Sequence, residues 1–388
     1  MNDIQNQPEV QFEPIQTLDP AAEERVTAFR KSLIRHPHFN QCFAQAMSAI
    51  NSAGGPKVVI ITGPTGAGKS TLARKIYATL KWQYDDQIKK DPGIMPVAGF
   101  NAIAPNGSAF NWKDFYIRLL EHHGDVLTKR KMLLPRQHEL FADMPAPTPY
   151  ERSTTEALRR AAEKCLKNRK TRVLIIDEAH HILMAKDPTR LEFQFEALKS
   201  LTIESDVTIV LIGTYRLLAI RDQSGQLVRR SEIVHFPRYN LEQPEDTKSF
   251  VDALRQLQEK LPLPVMPHLT SEARYFFVKS GGSIGILKDW LSRCLEFAIL
   301  RGKKTFDAKF ADEFAFPNKS LITILEEAIE GEIALTDAGI DEVKKLLYRV
   351  ATTAKQAPTT GVPAPKHKKK VGERLPGRDK TGDDHGTR

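Results

Sequence analysis

The feature that most constrains the fold is segment 63–70, which reads GPTGAGKS and matches the pattern G-x-x-x-x-G-K-[ST] in full. A β-branched, apolar run precedes it at 57–62, and a helical pattern follows from Gly68 to Trp82. A strand, glycine-rich turn and helix in this order point backbone N–H groups and a helix N-terminus at a phosphate. The sequence therefore predicts a triphosphate site made by Gly63, Pro64, Thr65, Gly66, Ala67, Gly68, Lys69, Ser70 and Thr71.

Two of these residues have specific expected roles. The Lys69 ammonium is expected to reach the β- and γ-phosphates, and the Ser70 hydroxyl is expected to ligate Mg²⁺. The motif thus predicts ATP and Mg²⁺ as cofactors. The competing interpretation, an accidental glycine-rich turn, does not account for the flanking strand and helix.

A second apolar run, at 172–176, ends in the carboxylate pair Asp177 and Glu178. Asp177 is suited to the Mg²⁺ shell, and Glu178 is suited to be the base that orients and deprotonates an attacking water. Taken alone, the pair would also fit a solvated acidic strand end. Its pairing with the glycine-rich loop favours the catalytic interpretation.

Polar residues also follow two other predicted strands. Thr214 follows the run at 207–212 and is a candidate sensor of the γ-phosphate, although it would equally serve to cap the next helix. Asn101 follows the strand predicted at 95–100 and is a candidate to hold Glu178 away from the water; a turn-forming asparagine is the alternative.

Arginines that follow the sensor strand suggest a contribution from a neighbouring subunit. Such an arginine would neutralise the charge that develops on the γ-phosphate during transfer. Arg230 is ranked first and Arg229 second, with Arg221 in the same stretch. The alternative is a solvated or DNA-facing pair.

The alternation of strands and helices predicts an α/β fold, with a parallel sheet covered by helices and followed by a small all-helical lid. Four strands are expected, at 57–62, 95–100, 172–176 and 207–212. The predicted divisions are a disordered arm at 1–20, the α/β domain at 21–242, helices at 243–350 and a disordered basic tail at 351–388.

Charge and composition exclude some classes of protein. The 388 residues carry a net charge of +9. The tail holds nine basic and four acidic residues, so it contributes +5 of this charge. The three cysteines are too few and too far apart for a disulfide framework or a zinc site, and the histidine pairs at 122–123 and 180–181 lack further ligands at metal spacing. With no apolar run long enough for a bilayer, we expect a cytoplasmic protein without membrane contact.

The order of these motifs resembles the AAA+ ATPases. Within them, segments 23–26, 34–37, 174–181, 211–214 and 227–232 resemble the TniB/TnsC group of DNA transposition regulators. The resemblance covers about 22–330. It implies ATP-dependent assembly as a ring or helical filament on duplex DNA without sequence preference. It further implies partnership with a transposase and a target-selector protein, and ATP hydrolysis that drives disassembly.

Two segments are candidates for contacts beyond the nucleotide. The proline-rich insertion at 124–150 carries Lys129, Arg130, Lys131 and Arg136, which would track DNA phosphates or simply form a solvated basic loop. The tail run 366–370 would tether DNA, dock the transposase or only aid solubility.

One departure from the family pattern concerns the lid. Many AAA+ lids place an arginine in a Gly-x-x-Arg turn, and Gly285 occupies that position here. Lys288, one turn further on, is the only nearby candidate to substitute for it.

Three other functions fit part of the pattern. The run Asp177-Glu178-Ala179-His180 spells a DEAH helicase box, but no second RecA-like domain follows. An AAA+ switch or scaffold that acts on protein partners without binding DNA is the main alternative. A replication or clamp-loading ATPase would be expected to keep the lid arginine.

Overall fold

The computed structural model describes most of the chain between residues 18 and 355. The described residues are 18–52, 54–55, 57–105, 107, 109–124, 153–183, 188–219, 231–337 and 339–355. They separate into one compact unit that ends at Leu335 and a second unit that begins at Thr336.

A five-stranded parallel sheet organises the first unit. Its strands are β1 (Val58–Thr62), β2 (Val97–Asn101), β3 (Val173–Asp177), β4 (Thr208–Gly213) and β5 (Ser231–His235). Their order across the sheet is β2-β3-β4-β1-β5, so that β1 lies between β4 and β5 and the carboxyl ends meet at one edge. The predicted fold class, a parallel sheet flanked by helices, is confirmed.

The fifth strand was not among the four predicted from sequence. β5 is an edge strand in which only Val234 is buried, while Glu232 is exposed. An edge strand with one face near solvent carries polar residues, so it lacks the continuous apolar run that marks β1, β3 and β4. The other four strands lie within two residues of their predicted positions.

Helices cover both faces of the sheet. The helices α2 (Pro37–Asn51) and α3 (Lys69–Gln83) pack on the face that contains Val59 and Ile61. A short helix, α4 (Asp85–Lys90), follows α3 and was not predicted. The opposite face, with Val58 and Ile60, packs against α5 (Trp112–His122), α6 (Thr155–Asn168) and α7 (Pro188–Ser205). The alternation of side chains along each strand directs its residues into the two cores.

The C-terminal part of this unit, from Pro244 onward, is helical, as predicted. It contains α8 (Pro244–Lys260), α9 (Ala273–Ser280), α10 (Ile284–Leu300), α11 (Ala308–Asp312) and α12 (Asn318–Leu335). The first helix of the described residues, α1 (Pro20–Lys31), contributes Val26 and Phe29 to the same hydrophobic cluster as α8 to α11. We call α8 to α11 the lid.

The second unit is described by the single helix α13 (Ile340–Lys355). Its described apolar side chains, which include Val343, Leu346 and Leu347, are exposed. Within the described ranges no helix is both long and apolar enough to cross a membrane.

Candidate functional site

The glycine-rich loop lies at the carboxyl end of the central strand β1. Gly66 and Gly68 adopt left-handed backbone angles, with φ of 78° and 102°, which glycine adopts without steric cost. A side chain at Gly63 would place its Cβ only 2.2 Å from the Phe236 carbonyl oxygen. These glycines therefore permit the tight turn that leads into α3, whose first residue is Lys69.

Lys69 is held beneath this loop. Its side chain is buried, and Nζ donates hydrogen bonds to the carbonyl oxygens of Gly63 at 3.0 Å and Pro64 at 2.7 Å. Burial lowers the pKa of Lys69 to about 8, while the negative charges of Glu178 and Asp177 raise it. At neutral pH the ammonium is therefore protonated but incompletely compensated, which favours an anionic ligand.

The predicted carboxylates lie at the end of β3, facing the start of α3. Asp177 Oδ1 accepts a hydrogen bond from the Glu178 backbone N–H at 2.9 Å. Glu178 has a left-handed backbone, with φ of 52°, which is uncommon for a residue with a side chain and typical of functional sites. A cavity of about 650 Å³ brings Ser70 and both carboxylates to one surface.

Asn101 lines this same cavity and pairs in the sheet with Asp177. Among the hydrogen bonds of the described residues, none joins Asn101 to Glu178. The side chain in contact with Glu178 is instead His180, whose Nδ1 lies 3.4 Å from Glu178 Oε2. Burial lowers the pKa of His180 to about 4, with smaller contributions from the charges of His181, Arg216 and Lys69, so its ring is neutral at pH 7.

His180 is a site residue that the sequence analysis did not single out. The only available signal was its place two residues after Glu178 in the Asp-Glu-Ala-His run. The side chains of Glu178, His180 and His181 have potential ligand atoms within 4.8 Å of one another. The expectation that the histidine pair lacks an accompanying ligand is therefore wrong, because the short helix 179–183 brings the pair back toward Glu178.

Thr214 follows β4 directly, beside the glycine-rich loop. Its Oγ1 is buried and has no hydrogen-bond partner within the described part of the chain. It also makes no side-chain capping bond to the short helix 215–218, which argues against the capping interpretation. A buried hydroxyl without a partner is costly, and a phosphate oxygen would satisfy it.

The lid contacts the loop at the start of α10. A Cβ built on Gly285 would lie 2.0 Å from the Gly66 carbonyl oxygen, and a Cβ on Gly66 would lie 2.5 Å from the Ile286 side chain. Ser283, the residue before α10, has a buried Oγ for which the described residues provide no partner. No arginine fits at position 285, because the two backbones are already in contact.

Lys288 does not replace that arginine. Its Nζ donates to the carbonyl oxygens of Arg30 at 2.7 Å and Ser32 at 2.6 Å, at the end of α1. The ammonium therefore caps a helix instead of facing the loop. The hypothesis that Lys288 contacts the γ-phosphate is contradicted by these bonds.

Several predicted residues lie outside the described part of the chain. They are the arginine candidates Arg221, Arg229 and Arg230, the insertion residues Lys129, Arg130, Lys131 and Arg136, and the tail run 366–370.

A comparison with protein-family models agrees with this geometry. Residues 52–220 match the model of an AAA domain. The matched segment contains the loop, both carboxylates, Thr214 and four of the five strands of the parallel sheet. A comparison with curated proteins gives no match.

Solved structures with a similar backbone are distant in sequence. The Aeropyrum pernix ORC2 protein in ADPNP-ADP complexes is 15% identical, with a TM-score of 0.46 over 76% of this chain and 73% of that one. The Aeropyrum pernix ORC1 protein in complex with DNA is 15% identical, with a TM-score of 0.49 over 74% and 64%. A Thermotoga maritima RuvB mutant is 14% identical, with a TM-score of 0.38 over 72% and 69%.

Proposed function

We propose that this chain is an ATPase that assembles on duplex DNA in its ATP-bound state and regulates DNA transposition. The observation that carries the ATPase part is the convergence of four groups at one edge of the sheet. A buried lysine, two carboxylates and an unpartnered buried hydroxyl surround the glycine-rich loop. An AAA domain match implies the same chemistry.

The residues present fit Mg²⁺ and a triphosphate. Residues 63–71 would hold the phosphates through backbone N–H groups, with Lys69 beside the β- and γ-phosphates and Thr214 donating its unsatisfied hydroxyl to the γ-phosphate. Ser70 and Asp177 would hold Mg²⁺, which supplies positive charge to the transferring phosphoryl group. Glu178 would accept the proton of the attacking water.

Two further groups would control that step. His180 Nδ1 lies 3.4 Å from the Glu178 carboxylate and Asn101 lines the cavity that contains Glu178, which supports a role for each in restraining this carboxylate before a partner binds. Arg230 or Arg229 of a second copy would neutralise charge on the γ-phosphate, which makes hydrolysis depend on assembly.

The DNA part of the proposal rests on sequence. The segments 23–26, 34–37, 174–181, 211–214 and 227–232 resemble the TniB/TnsC group, and the net charge of +9 is compatible with a polyanionic partner. The partners are then sequence-independent duplex DNA, further copies in a ring or filament, a transposase and a target selector. Domain boundaries at 20, 242 and 350 are part of the same proposal.

The test is duplex-DNA binding by fluorescence anisotropy with ATP, ADP and a non-hydrolysable analogue, at two salt concentrations. We expect binding that requires the triphosphate, ignores sequence and weakens with salt. Lys69→Ala should abolish nucleotide binding and the DNA complex together. Glu178→Gln should slow hydrolysis by roughly 10²- to 10⁴-fold, the usual contribution of a general base, and keep the complex.

Two results would contradict different parts of the proposal, the ATP switch and the binding of DNA. If Glu178→Gln behaves like Lys69→Ala in DNA binding, the ATP-switch model is wrong. If the wild type binds no DNA in any nucleotide state but still hydrolyses ATP, the chain is a switch or scaffold for protein partners instead.

A further inference from the structure

Positive charge is concentrated in one described segment that the sequence analysis did not consider. Between Arg159 and Arg172 the chain carries seven basic residues and one acidic residue, Glu163. That net charge of +6 compares with +9 for the whole chain. Glu163 is itself occupied, because Arg159 Nε donates to its carboxylate at 2.9 Å.

The helix α6 arranges part of this charge on its outer face. Leu158, Ala162 and Leu166 are its buried residues and pack into the core of the sheet. The opposite side carries three exposed cations, Arg160, Lys164 and Lys167. At about 100° and 1.5 Å per residue, these three side chains leave the helix within an arc of about 60° and over roughly 10 Å of its length. We call these three residues the α6 strip.

The α6 strip is not neutralised within the described part of the chain. No ion pair or hydrogen bond of its three side chains occurs among those residues, whereas neighbouring cations are engaged: Lys170 pairs with Asp91 and Arg169 donates to the Gly93 carbonyl. Three like charges on one helix face repel one another, at i,i+4 and i,i+3 spacing. An arrangement of this kind is stabilised by an external polyanion.

The chemistry of the strip favours the backbone of a duplex. Single-stranded nucleic acid is bound by aromatic side chains on which bases stack, and α6 contains no aromatic residue. Membrane surfaces require large apolar side chains beside the cations, and the outer face of α6 has none. Long cationic side chains on a rigid helix are suited to phosphates spaced along a strand.

We infer that the α6 strip contacts the phosphate backbone of duplex DNA. This inference rests on the proposed function and gives it a surface on a rigid element of the fold, in addition to the insertion residues at 129–136. The contact depends on phosphate charge and not on base sequence, so its free energy comes from counterion release and weakens as the salt concentration rises.

The experiment compares the salt dependence of DNA binding for the ATP-loaded wild type and the variant R160Q/K164Q/K167Q. With about 0.9 units of slope per phosphate contact, loss of three contacts should reduce the slope of log affinity against log salt by about 2.7. The ratio of wild-type to variant DNA affinity should then fall roughly 40-fold between 50 and 200 mM salt. The single variant K164Q should show about one third of that reduction in slope.

The matched control is K248Q/R274Q/K309Q, which removes three exposed lid cations that have no ion pair among the described residues. It changes the net charge equally, so it should leave the slope near that of the wild type. ATP hydrolysis without DNA should be unchanged in every variant and the thermal unfolding midpoint should not fall, because none of these side chains touches the nucleotide site or the core.

The outcomes separate the two proposals. If the wild type binds DNA and the α6 variants keep the wild-type slope, the surface assignment is wrong and the proposed function stands. If the control loses as much slope as the α6 variant, only net charge matters and the assignment is again wrong. Absence of wild-type DNA binding refutes the DNA part of the proposed function and this inference with it.

Discussion

The contact between the lid and the glycine-rich loop predicts an unusual effect of a small substitution, Gly285→Ala. Gly285 lies in the first turn of α10, where alanine would ordinarily stabilise a helix by about 1 kcal/mol over glycine. The new Cβ would, however, lie 2.0 Å from the Gly66 carbonyl oxygen and 2.9 Å from its carbonyl carbon. Backbone atoms cannot rotate away, so the lid must move by about 1 Å to restore even a short contact.

The two effects oppose each other, and the clash is expected to dominate. Overpacking costs typically about 1–3 kcal/mol, and a contact between two backbones belongs at the upper end of that range. After subtraction of the helix gain, Gly285→Ala should lower the free energy of unfolding by about 1–2 kcal/mol.

Urea unfolding measures that free energy, and fluorescent-ATP titration measures nucleotide affinity, which should fall because the displaced lid no longer supports the loop. A variant stabilised by about 1 kcal/mol with unchanged ATP affinity would refute the reasoning, since it would mean that α10 and the loop are not in contact in solution. Gly285→Arg, which introduces the arginine that many AAA+ lids carry, should be more disruptive still and should not improve ATP binding.

Three further predictions concern the regions around the site. Burial and the neighbouring His38 lower the pKa of buried His36 to about 4, so the unfolded state binds the proton first as the pH falls. The free energy of unfolding should therefore fall by up to about 3 kcal/mol between pH 6.5 and pH 4. In His36→Gln, the free energy of unfolding should depend less steeply on pH across that range. Glu332→Ala removes the carboxylate that accepts a hydrogen bond from Arg238 Nη2 at 3.0 Å and lies 2.9 Å from its Nε, and this should loosen α12 by about 1–3 kcal/mol, seen as faster amide exchange in 318–335. Asp19→Ala removes the carboxylate that accepts the Ala22 N–H at 2.7 Å and should cost about 1 kcal/mol in thermal unfolding, with no change in ATP affinity.

The parts of the fold that sequence predicts well are those with an unambiguous local signal. β1, β3 and β4 are buried on both faces and therefore read as continuous β-branched runs. The glycine-rich loop has a fixed pattern, since its backbone must turn inward. β5 has neither signal, because its place is decided by pairing with β1 and not by its own residues.

The candidate site shows the same division. Lys69, Asp177 and Glu178 are named by motifs, but the contact of His180 with Glu178 depends on a short helix after β3 that no periodicity marks. For Lys288, sequence spacing fixes its place on α10 but not what lies opposite it. The end of α1 lies more than 250 residues away in the chain, and only the tertiary structure brings the two together.

That meeting of α1 with the lid has a consequence for biosynthesis. Val26, Phe29 and Ile34 complete a hydrophobic cluster whose remaining buried members, from Tyr239 onward, are made more than 200 residues later. Lys260 and Lys288 bind carbonyl oxygens at and just beyond the end of α1. Helix α1 must therefore wait, with apolar side chains uncovered, until nearly the whole compact unit has been translated. Deletion of residues 18–35 should therefore expose the hydrophobic core of the lid and destabilise it. An isolated lid fragment should fold only when the α1 peptide is supplied in trans.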